Sequence, residues 1–205
     1  MTARALLVLG GGGHAAVVIE EAARTGFVVV GYLDDAAPAP GLAPVEGMVH
    51  LGRLGDLAAV RARFPHAEIH AAIGSAALRE AWLAAAEAAG ATLATVVAAS
   101  AQVSPSASIG AGSFVGPRVV VAARARVGRG VLLNTAAVVE HDVVVDDLAH
   151  VASGAIVCGG ARVGRCAHVA AGSTIPVGMV IPPAGSGRIQ ESAPQGVRSD
   201  STSGS

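Results

Sequence analysis

The sequence predicts two parts, a small α/β domain of the half-Rossmann type and, after it, a parallel β-helix. Two observations carry this prediction. A strand-like run, a glycine turn and a helix-like stretch open the chain, and aliphatic residues recur every six positions over residues 97–181. The predicted organisation is an α/β domain over residues 1–95, a β-helix over residues 96–182 and a disordered polar tail over residues 183–205.

The first predicted element is a βαβ unit with a glycine-rich turn. Residues 5–9 form a strand, residues 10–13 form the turn, residues 14–25 form a helix, and residues 27–33 form a strand that ends at an Asp-Asp pair. Backbone N–H groups and the helix dipole at such a turn favour a phosphate. The alternative interpretation is a tight turn that binds nothing.

The rest of the first domain predicts half of a doubly wound fold. A helix near residues 54–64, a strand at 68–73, a helix at 76–89 and a strand at 92–97 follow in order. A dinucleotide site uses two such halves, and only one half precedes the repeats. The size of this domain therefore favours one nucleotide diphosphate over a dinucleotide.

The six-residue repeat has no missing step. An α-helix has a period of about 3.6, whereas a β-helix with three six-residue faces in each coil requires a period of six. Each face then points one branched side chain into a triangular core. A second set of small or β-branched residues lies four positions after each ladder residue, and only Met179 breaks it. The ladder residues are Val97, Val103, Ile109, Val115, Val121, Val127, Leu133, Val139, Val145, Val151, Val157, Val163, Val169, Ile175 and Ile181.

The composition argues against several classes of protein. A net charge of −1 over 205 residues leaves no basic footprint for nucleic acid or for an anionic membrane. Two cysteines, Cys158 and Cys166, are too few for a disulfide framework. No apolar run reaches the roughly 18 residues of a spanning helix. We therefore expect a cytoplasmic protein.

Three short motifs, together with the ladder, resemble one family. The motifs are Gly-Gly-Gly-Gly-His-Ala at residues 10–15, Leu-Asp-Asp at 33–35 and Ile-Gly-Ser at 73–75. The combination resembles the sialic-acid O-acetyltransferase family of hexapeptide-repeat acyltransferases, which includes N-acetyltransferases of UDP-4-amino sugars. Segments 133–142 and 147–151, with the glycines at 159 and 160, are similar to the active-site stretch of that family. The resemblance implies a left-handed β-helix, a homotrimer and acetyl-CoA as co-substrate.

The resemblance also implies roles for particular residues. His141 would be the general base, worth about 10²–10⁴ in rate, with Asp142 orienting its ring and Glu140 as the reserve carboxylate. The N–H of Gly159 would stabilise the oxyanion, and His150 would lie at the thioester of acetyl-CoA. Residues expected at the nucleotide sugar are Gly11, Gly12, His14, Asp34, Asp35 and Asn134, the last contacting the sugar or the base.

The repeat frame predicts where the histidines of the β-helix point. His141 lies two residues after the inward-facing Val139, near a corner, so its ring projects outward. His150 and His168 each precede an inward-facing valine and lie eighteen residues apart, so they stack on one outer face, one coil apart. We interpret His168 as an ordinary surface residue and Cys158 as a packing residue rather than an acyl carrier.

The predicted function is transfer of an acetyl group from acetyl-CoA to the amino group of a nucleotide-linked amino sugar. Two alternatives are sugar O-acetylation of the sialic-acid type and a β-helix that only binds a nucleotide sugar. A zinc-dependent γ-type carbonic anhydrase shares the fold, but its histidines stand five residues apart, whereas His141 and His150 are nine apart. No metal is therefore expected.

Overall fold

A computed structural model describes residues 4–36, 44–185 and 190–191. The α/β part contains strands β1 (Arg4–Leu9), β2 (Phe27–Leu33), β3 (His50–Gly52) and β4 (Glu68–Ala71), helices α1 (Gly13–Arg24), α2 (Leu57–Arg63) and α3 (Ala76–Ala88), and a 3₁₀ turn at Leu54–Asp56. The strands that follow are β5 (Val96–Val97), β6 (Gln102–Val103), β7 (Ser108–Ile109), β8 (Phe114–Val115), β9 (Val120–Val121), β10 (Arg126–Val127), β11 (Leu132–Leu133), β12 (Val138–Val139), β13 (Val144–Val145), β14 (His150–Val151), β15 (Ile156–Val157), β16 (Arg162–Val163), β17 (His168–Val169), β18 (Thr174–Ile175), β19 (Met179–Ile181) and β20 (Gln190–Glu191).

The α/β part is a four-stranded parallel sheet, in the order β3-β2-β1-β4, with helices on both sides. Successive residues of β1 point to opposite sides of the sheet. Leu6 and Val8 pack with α1, whereas Leu7 and Leu9 pack with α2 and α3. The predicted βαβ unit is confirmed. Strand β3 was not predicted, because its three residues are too few to show an alternating pattern.

Residues 96–181 form a parallel β-helix with three faces, as predicted. Face 1 consists of β5, β8, β11, β14 and β17, face 2 of β6, β9, β12, β15 and β18, and face 3 of β7, β10, β13, β16 and β19. Each strand pairs with the one three strands later, so Val127, Val145 and Val163 stack in register. The six-residue ladder and its second set form one continuous core. Burial falls only at the two ends, where no further coil of the described residues covers the core.

The α/β part lies on face 1 and on the corner between faces 3 and 1. Ala15 and Val18 of α1 pack with Phe114 and Leu132 of face 1. Arg79 of α3 is fully buried and donates to the carbonyls of Gly130 and Leu148 at that corner, at 2.7 and 2.5 Å. The corner between faces 2 and 3 lies across the triangular coil from face 1. It therefore points away from the α/β part.

The tail predicted over residues 183–205 lies mostly outside the described residues. Residues 183–185 and 190–191 are described, and β20 pairs antiparallel with β19 on face 3. Disorder in the remaining residues stays a prediction. Among the helices that the structure describes, none has the length and apolar character needed to cross a bilayer.

Candidate active site

His141 lies on the turn after β12, at the corner between faces 2 and 3. Its side chain is 60% exposed, and its Nδ1 lies 2.8 Å from Oδ2 of Asp142. An ionised carboxylate only accepts hydrogen bonds, so Nδ1 carries the proton and donates. A neutral ring in this tautomer has its lone pair on Nε2. The ring projects outward as predicted, and its Nδ1 contacts Asp142, not the reserve carboxylate Glu140.

Asp142 is held from the preceding coil by Arg124. The guanidinium donates from Nε to Oδ1 at 2.6 Å and from Nη2 to Oδ2 at 2.7 Å, a two-point contact. Hydrogen bonds from Arg124 and then from His141 hold the pKa of the Asp142 carboxyl well below its usual range. The carboxylate is therefore ionised at neutral pH. Sequence reasoning missed Arg124, although the eighteen-residue stacking rule places it directly next to Asp142.

Gly159 lies one coil after His141 and directly against its ring. A Cβ at position 159 would stand 2.8 Å from both Nε2 and Cε1 of the imidazole, so a side chain here would displace the ring. The N–H of Gly160 donates to the His141 carbonyl at 3.0 Å, which joins the two turns. Within the described part of the chain, the N–H of Gly159 has no hydrogen-bond acceptor. The candidate base and the candidate oxyanion donor are thus in contact.

The glycine turn before α1 is closed on one side and open on the other. The N–H of Gly11 donates to Oδ2 of Asp34 at 2.6 Å, and a Cβ at Gly11 would stand 2.6 Å from the Tyr32 ring. A Cβ at Gly12 or Gly13 would meet nothing within 4 Å. The structure therefore brings Asp34 to the turn and leaves space in front of the helix N-terminus.

Two other residues predicted to contact the sugar, Asp35 and Asn134, accept hydrogen bonds from backbone N–H groups outside the glycine turn. Oδ1 of Asp35 accepts from the N–H of Leu54 at 2.9 Å, so this carboxylate caps the 3₁₀ turn. Asn134 lies at the corner between faces 1 and 2, where its Oδ1 accepts from the N–H of Thr135 at 2.8 Å. The whole width of face 2 separates Asn134 from His141 in the same coil.

His14, in the first turn of α1, points into the boundary between the α/β part and face 1, which we call the domain seam. Its ring packs edge-on against the ring of Phe114, with centroids 5.2 Å apart. Burial, followed by the proximity of His70 and His150, lowers the pKa of His14 to about 4. Its Nε2 is buried, and no hydrogen-bond partner lies near it in the described ranges.

His70 on β4 is a second buried imidazole at the domain seam, and sequence reasoning missed it. Its Nδ1 donates to the carbonyl of Ala94 at 2.9 Å, which leaves Nε2 as an acceptor without a partner among the residues that the structure describes. Burial lowers the pKa of His70 to about 4. The available signal was a histidine between the apolar residues Ile69 and Ala71 of a strand.

His150 and His168 stack on face 1, as predicted. They pair in register on β14 and β17, and their ring centroids are 4.8 Å apart. Burial and then the neighbouring His168 lower the pKa of His150 to about 4, so His150 is neutral at pH 7. His168 is exposed. The prediction of one outer face, one coil apart, is confirmed.

All predicted site residues except Asp35 and Asn134 form two groups, which lie on opposite sides of the chain. The seam group lies at the glycine turn and face 1, and the corner group lies between faces 2 and 3. One chain does not bring its own two groups together. No cluster of three or more His, Cys, Asp or Glu side chains suited to a metal ion occurs within residues 4–36 and 44–185. The seam group is Gly11, Gly12, His14, Asp34 and His150, and the corner group is His141, Asp142 and Gly159.

Comparisons with known proteins extend over both parts of the chain. Residues 5–86 match the family model described as the PglD N-terminal domain. The acetyltransferase domain of PglB from Neisseria gonorrhoeae FA1090 is 32% identical, with a TM-score of 0.80 over 88% of this chain and 86% of that chain. That domain has also been solved in complex with acetyl coenzyme A.

Two further solved structures are similar to this chain. PerB from Caulobacter crescentus, in complex with CoA and GDP-perosamine, is 31% identical, with a TM-score of 0.73 over 87% of this chain and 86% of that chain. WeeI from Acinetobacter baumannii AYE is 19% identical, with a TM-score of 0.62 over 91% of this chain and 100% of that chain, and shares the fold. A search of curated proteins found no match.

Proposed function

The chain belongs to the hexapeptide-repeat family of left-handed β-helix acetyltransferases, and on this premise we propose that it acetylates the amino group of a nucleotide-linked amino sugar. It is an acyltransferase, and acetyl-CoA is its co-substrate. The observation that carries the proposed chemistry is the corner group, in which a carboxylate-oriented imidazole contacts a glycine whose N–H has no acceptor among the described residues. CoA and GDP-perosamine in the PerB structure support a nucleotide amino sugar as the acceptor.

In the proposed reaction, the neutral amine of the sugar attacks the carbonyl carbon of the thioester. Nε2 of His141 takes the proton that the amine loses as the C–N bond forms, while Nδ1 donates to Asp142. The carbonyl electron pair moves to oxygen, where the N–H of Gly159 stabilises the negative charge. Collapse of this intermediate breaks the C–S bond, and the proton on Nε2 passes to the departing CoA thiolate.

We propose that the nucleotide binds at the seam group. The start of α1 offers open space at Gly12 and Gly13 and backbone N–H groups that no side chain caps. Asp34 already occupies the N–H of Gly11, so its carboxylate forms one wall of this space. His14 and His150 are neutral at pH 7, so they contribute hydrogen-bonding groups without adding charge.

The proposed setting of the enzyme is a homotrimer in the cytoplasm. Because the two groups of one chain lie on opposite sides, a complete site needs the corner group of one chain beside the seam group of the next. The outward-facing row of face 2 is apolar and consists of Val120, Val138 and Ile156. Ile156 is 38% exposed, which supports burial of this face between chains.

The cytoplasmic setting is supported by the cysteines. Both cysteines are free thiols, which supports a reducing compartment.

Release of the CoA thiol from acetyl-CoA tests the proposal. The assay compares UDP-linked and GDP-linked 4-amino sugars with no sugar, for the wild type, His141→Ala and the exposed control His66→Ala. We expect sugar-dependent release that falls at least about a hundredfold in His141→Ala and stays at the wild-type level in His66→Ala. Nucleotide-sugar binding without any thiol release would instead support the binding-protein alternative.

A further inference from the structure

Arg124 acts on the same carboxylate oxygen as the candidate base. Oδ2 of Asp142 accepts from Nη2 of Arg124 at 2.7 Å and from Nδ1 of His141 at 2.8 Å. The second guanidinium contact, from Nε to Oδ1 at 2.6 Å, fixes the plane of the carboxylate. The orientation of the imidazole over Gly159 is therefore linked, through one carboxylate, to a side chain on the preceding coil.

The repeat places Arg124 and Asp142 at equivalent positions of two adjacent coils. Arg124 and Asp142 stand eighteen residues apart and have nearly the same left-handed backbone, with φ of 60° and 61°. The next residues of this column, Gly160 and Gly178, also have positive φ, at 66° and 67°. Side chains are disfavoured in this conformation. Of these four residues with positive φ, only Arg124 and Asp142 carry a side chain, and these two side chains contact each other beside the base.

The charges around the His141 ring come from three consecutive coils. Asp142 and Glu140 lie on its own turn, Arg124 lies on the coil before, and the titratable thiol of Cys158 lies on the coil after, next to Gly159. Arg124 offsets the negative charge of Asp142. Without the guanidinium, an unbalanced carboxylate would hydrogen-bond Nδ1 and favour the protonated imidazole, which cannot accept a proton from the amine.

We propose that Arg124 is a positioning residue that locks Asp142 toward Nδ1 of His141 and balances its charge, so that Nε2 stays over Gly159 and free to accept a proton. The inference rests on the proposed function, because it assigns His141 the role of base. Arg124 itself contacts no reacting atom in this assignment. It acts through Asp142.

Arg118 provides a matched control for Arg124. Both arginines are exposed, both have a left-handed backbone, at φ of 57° and 60°, and both N–H groups donate to a serine Oγ at 3.1 Å on the preceding coil. They differ in the side chain: within the residues that the structure describes, Arg124 pairs with a carboxylate and Arg118 does not. We therefore compare Arg124→Met, Arg124→Lys and Arg118→Met. The comparison separates the effect of the ion pair from the effect of replacing an arginine on this backbone.

The test measures kcat, KM and the pH profile of kcat/KM for these variants. We expect Arg124→Met to lower kcat about tenfold with the KM for the nucleotide sugar nearly unchanged. We also expect the acid limb of its profile to move about half a pH unit to higher pH. Arg124→Lys should keep most of the wild-type kcat and an acid limb close to that of the wild type. Arg118→Met should match the wild type in both. Loss of activity without a moved limb and without rescue by lysine would overturn the proposal in favour of a structural role.

A ring ¹⁵N NMR titration without substrate keeps this test separate from the proposed reaction. The His141 signals are assigned by their absence in His141→Ala. We expect the neutral Nδ1–H tautomer to dominate in the wild type and, at the same pH, to lose population to the doubly protonated ring in Arg124→Met. Identical ring spectra in the two proteins would overturn the inference, whereas absence of acetyl transfer in the wild type would overturn the proposed function alone.

Discussion

The imidazole of His141 packs directly against Gly159. A Cβ added at Gly159 would stand only 2.8 Å from Nε2. The register of the β-helix produces this contact, because the turns that hold the two residues stack one coil apart and are joined through the Gly160 N–H. A thioester carbon near the imidazole would thus have its oxygen near the free N–H of Gly159. Acyl transfer requires a base and an oxyanion donor around one carbon, and this contact supports both roles.

The first prediction concerns the contact itself. Gly159→Ala pushes the imidazole away from its position, and displacement of a catalytic group by about 1 Å can cost about 10² in rate. We expect kcat to fall by this order while the melting temperature stays close to that of the wild type, because the His141 side chain is 60% exposed and can shift without disturbing the core. Gly55→Ala, where an added Cβ meets nothing within 4 Å, is the control. Full activity in Gly159→Ala would show that the contact does not matter.

The second prediction concerns Arg79, the buried cation between α3 and the β-helix. Its guanidinium donates to the carbonyls of Ile73, Gly74, Gly130 and Leu148, and burial lowers its pKa to about 10. Arg79→Met leaves these acceptors without a donor. We expect the free energy of unfolding in urea to fall by about 3 kcal/mol.

The control for Arg79 is another arginine at the same boundary. Arg129 pairs with Glu87 of α3 at 2.7 Å, but this pair is exposed to solvent. Arg129→Met should therefore lower the free energy of unfolding by no more than about 1 kcal/mol. Equal losses in the two variants would mean that the buried carbonyl contacts add nothing beyond a surface ion pair.

The third prediction is a pH dependence of stability that comes from the buried imidazoles. The pKa of His70 is lowered to about 4 in the folded chain, whereas a free histidine titrates near about 6.5. Between these values the unfolded chain binds more protons, so the free energy of unfolding falls as pH drops from 6.5 toward 4. His70→Leu should reduce that slope by up to about 1.4 kcal/mol per pH unit, measured by urea unfolding at several pH values. An unchanged slope would contradict the buried neutral state.

Periodicity made the β-helix predictable, because the same side-chain requirement returns at every face. Val127 and Val145 could be placed in the core from spacing alone, and the outward stacking of His150 and His168 followed from the same frame. Strand β3 could not be predicted, since three residues contain no period. The residue pattern therefore predicted the structure wherever the sequence repeats, and not in β3, where it does not.

The residue pattern could not predict the contacts between the α/β part and the β-helix. Arg79 and His70 are polar residues whose partners are backbone carbonyls, and carbonyls carry no sequence signal. The different uses of Asp34 and Asp35 also depend on which backbone N–H lies nearby, that of Gly11 or that of Leu54. Motif resemblance could name these aspartates together, but only the folded chain separates them.

The last prediction follows from the opposite positions of the corner group and the seam group. If each active site takes its corner group from one chain and its seam group from a neighbour, two inactive variants can complement each other. His141→Ala removes the proposed base, and Gly11→Trp blocks the turn, where even a Cβ would stand 2.6 Å from the Tyr32 ring. Chains mixed at equal amounts, unfolded and refolded together, should regain roughly a quarter of the wild-type activity, because random assembly of a closed ring pairs two intact groups at that frequency. Either variant refolded alone should stay inactive. A mixture that also stays inactive, although both chains are present in the same trimers, would mean that each chain completes its own site.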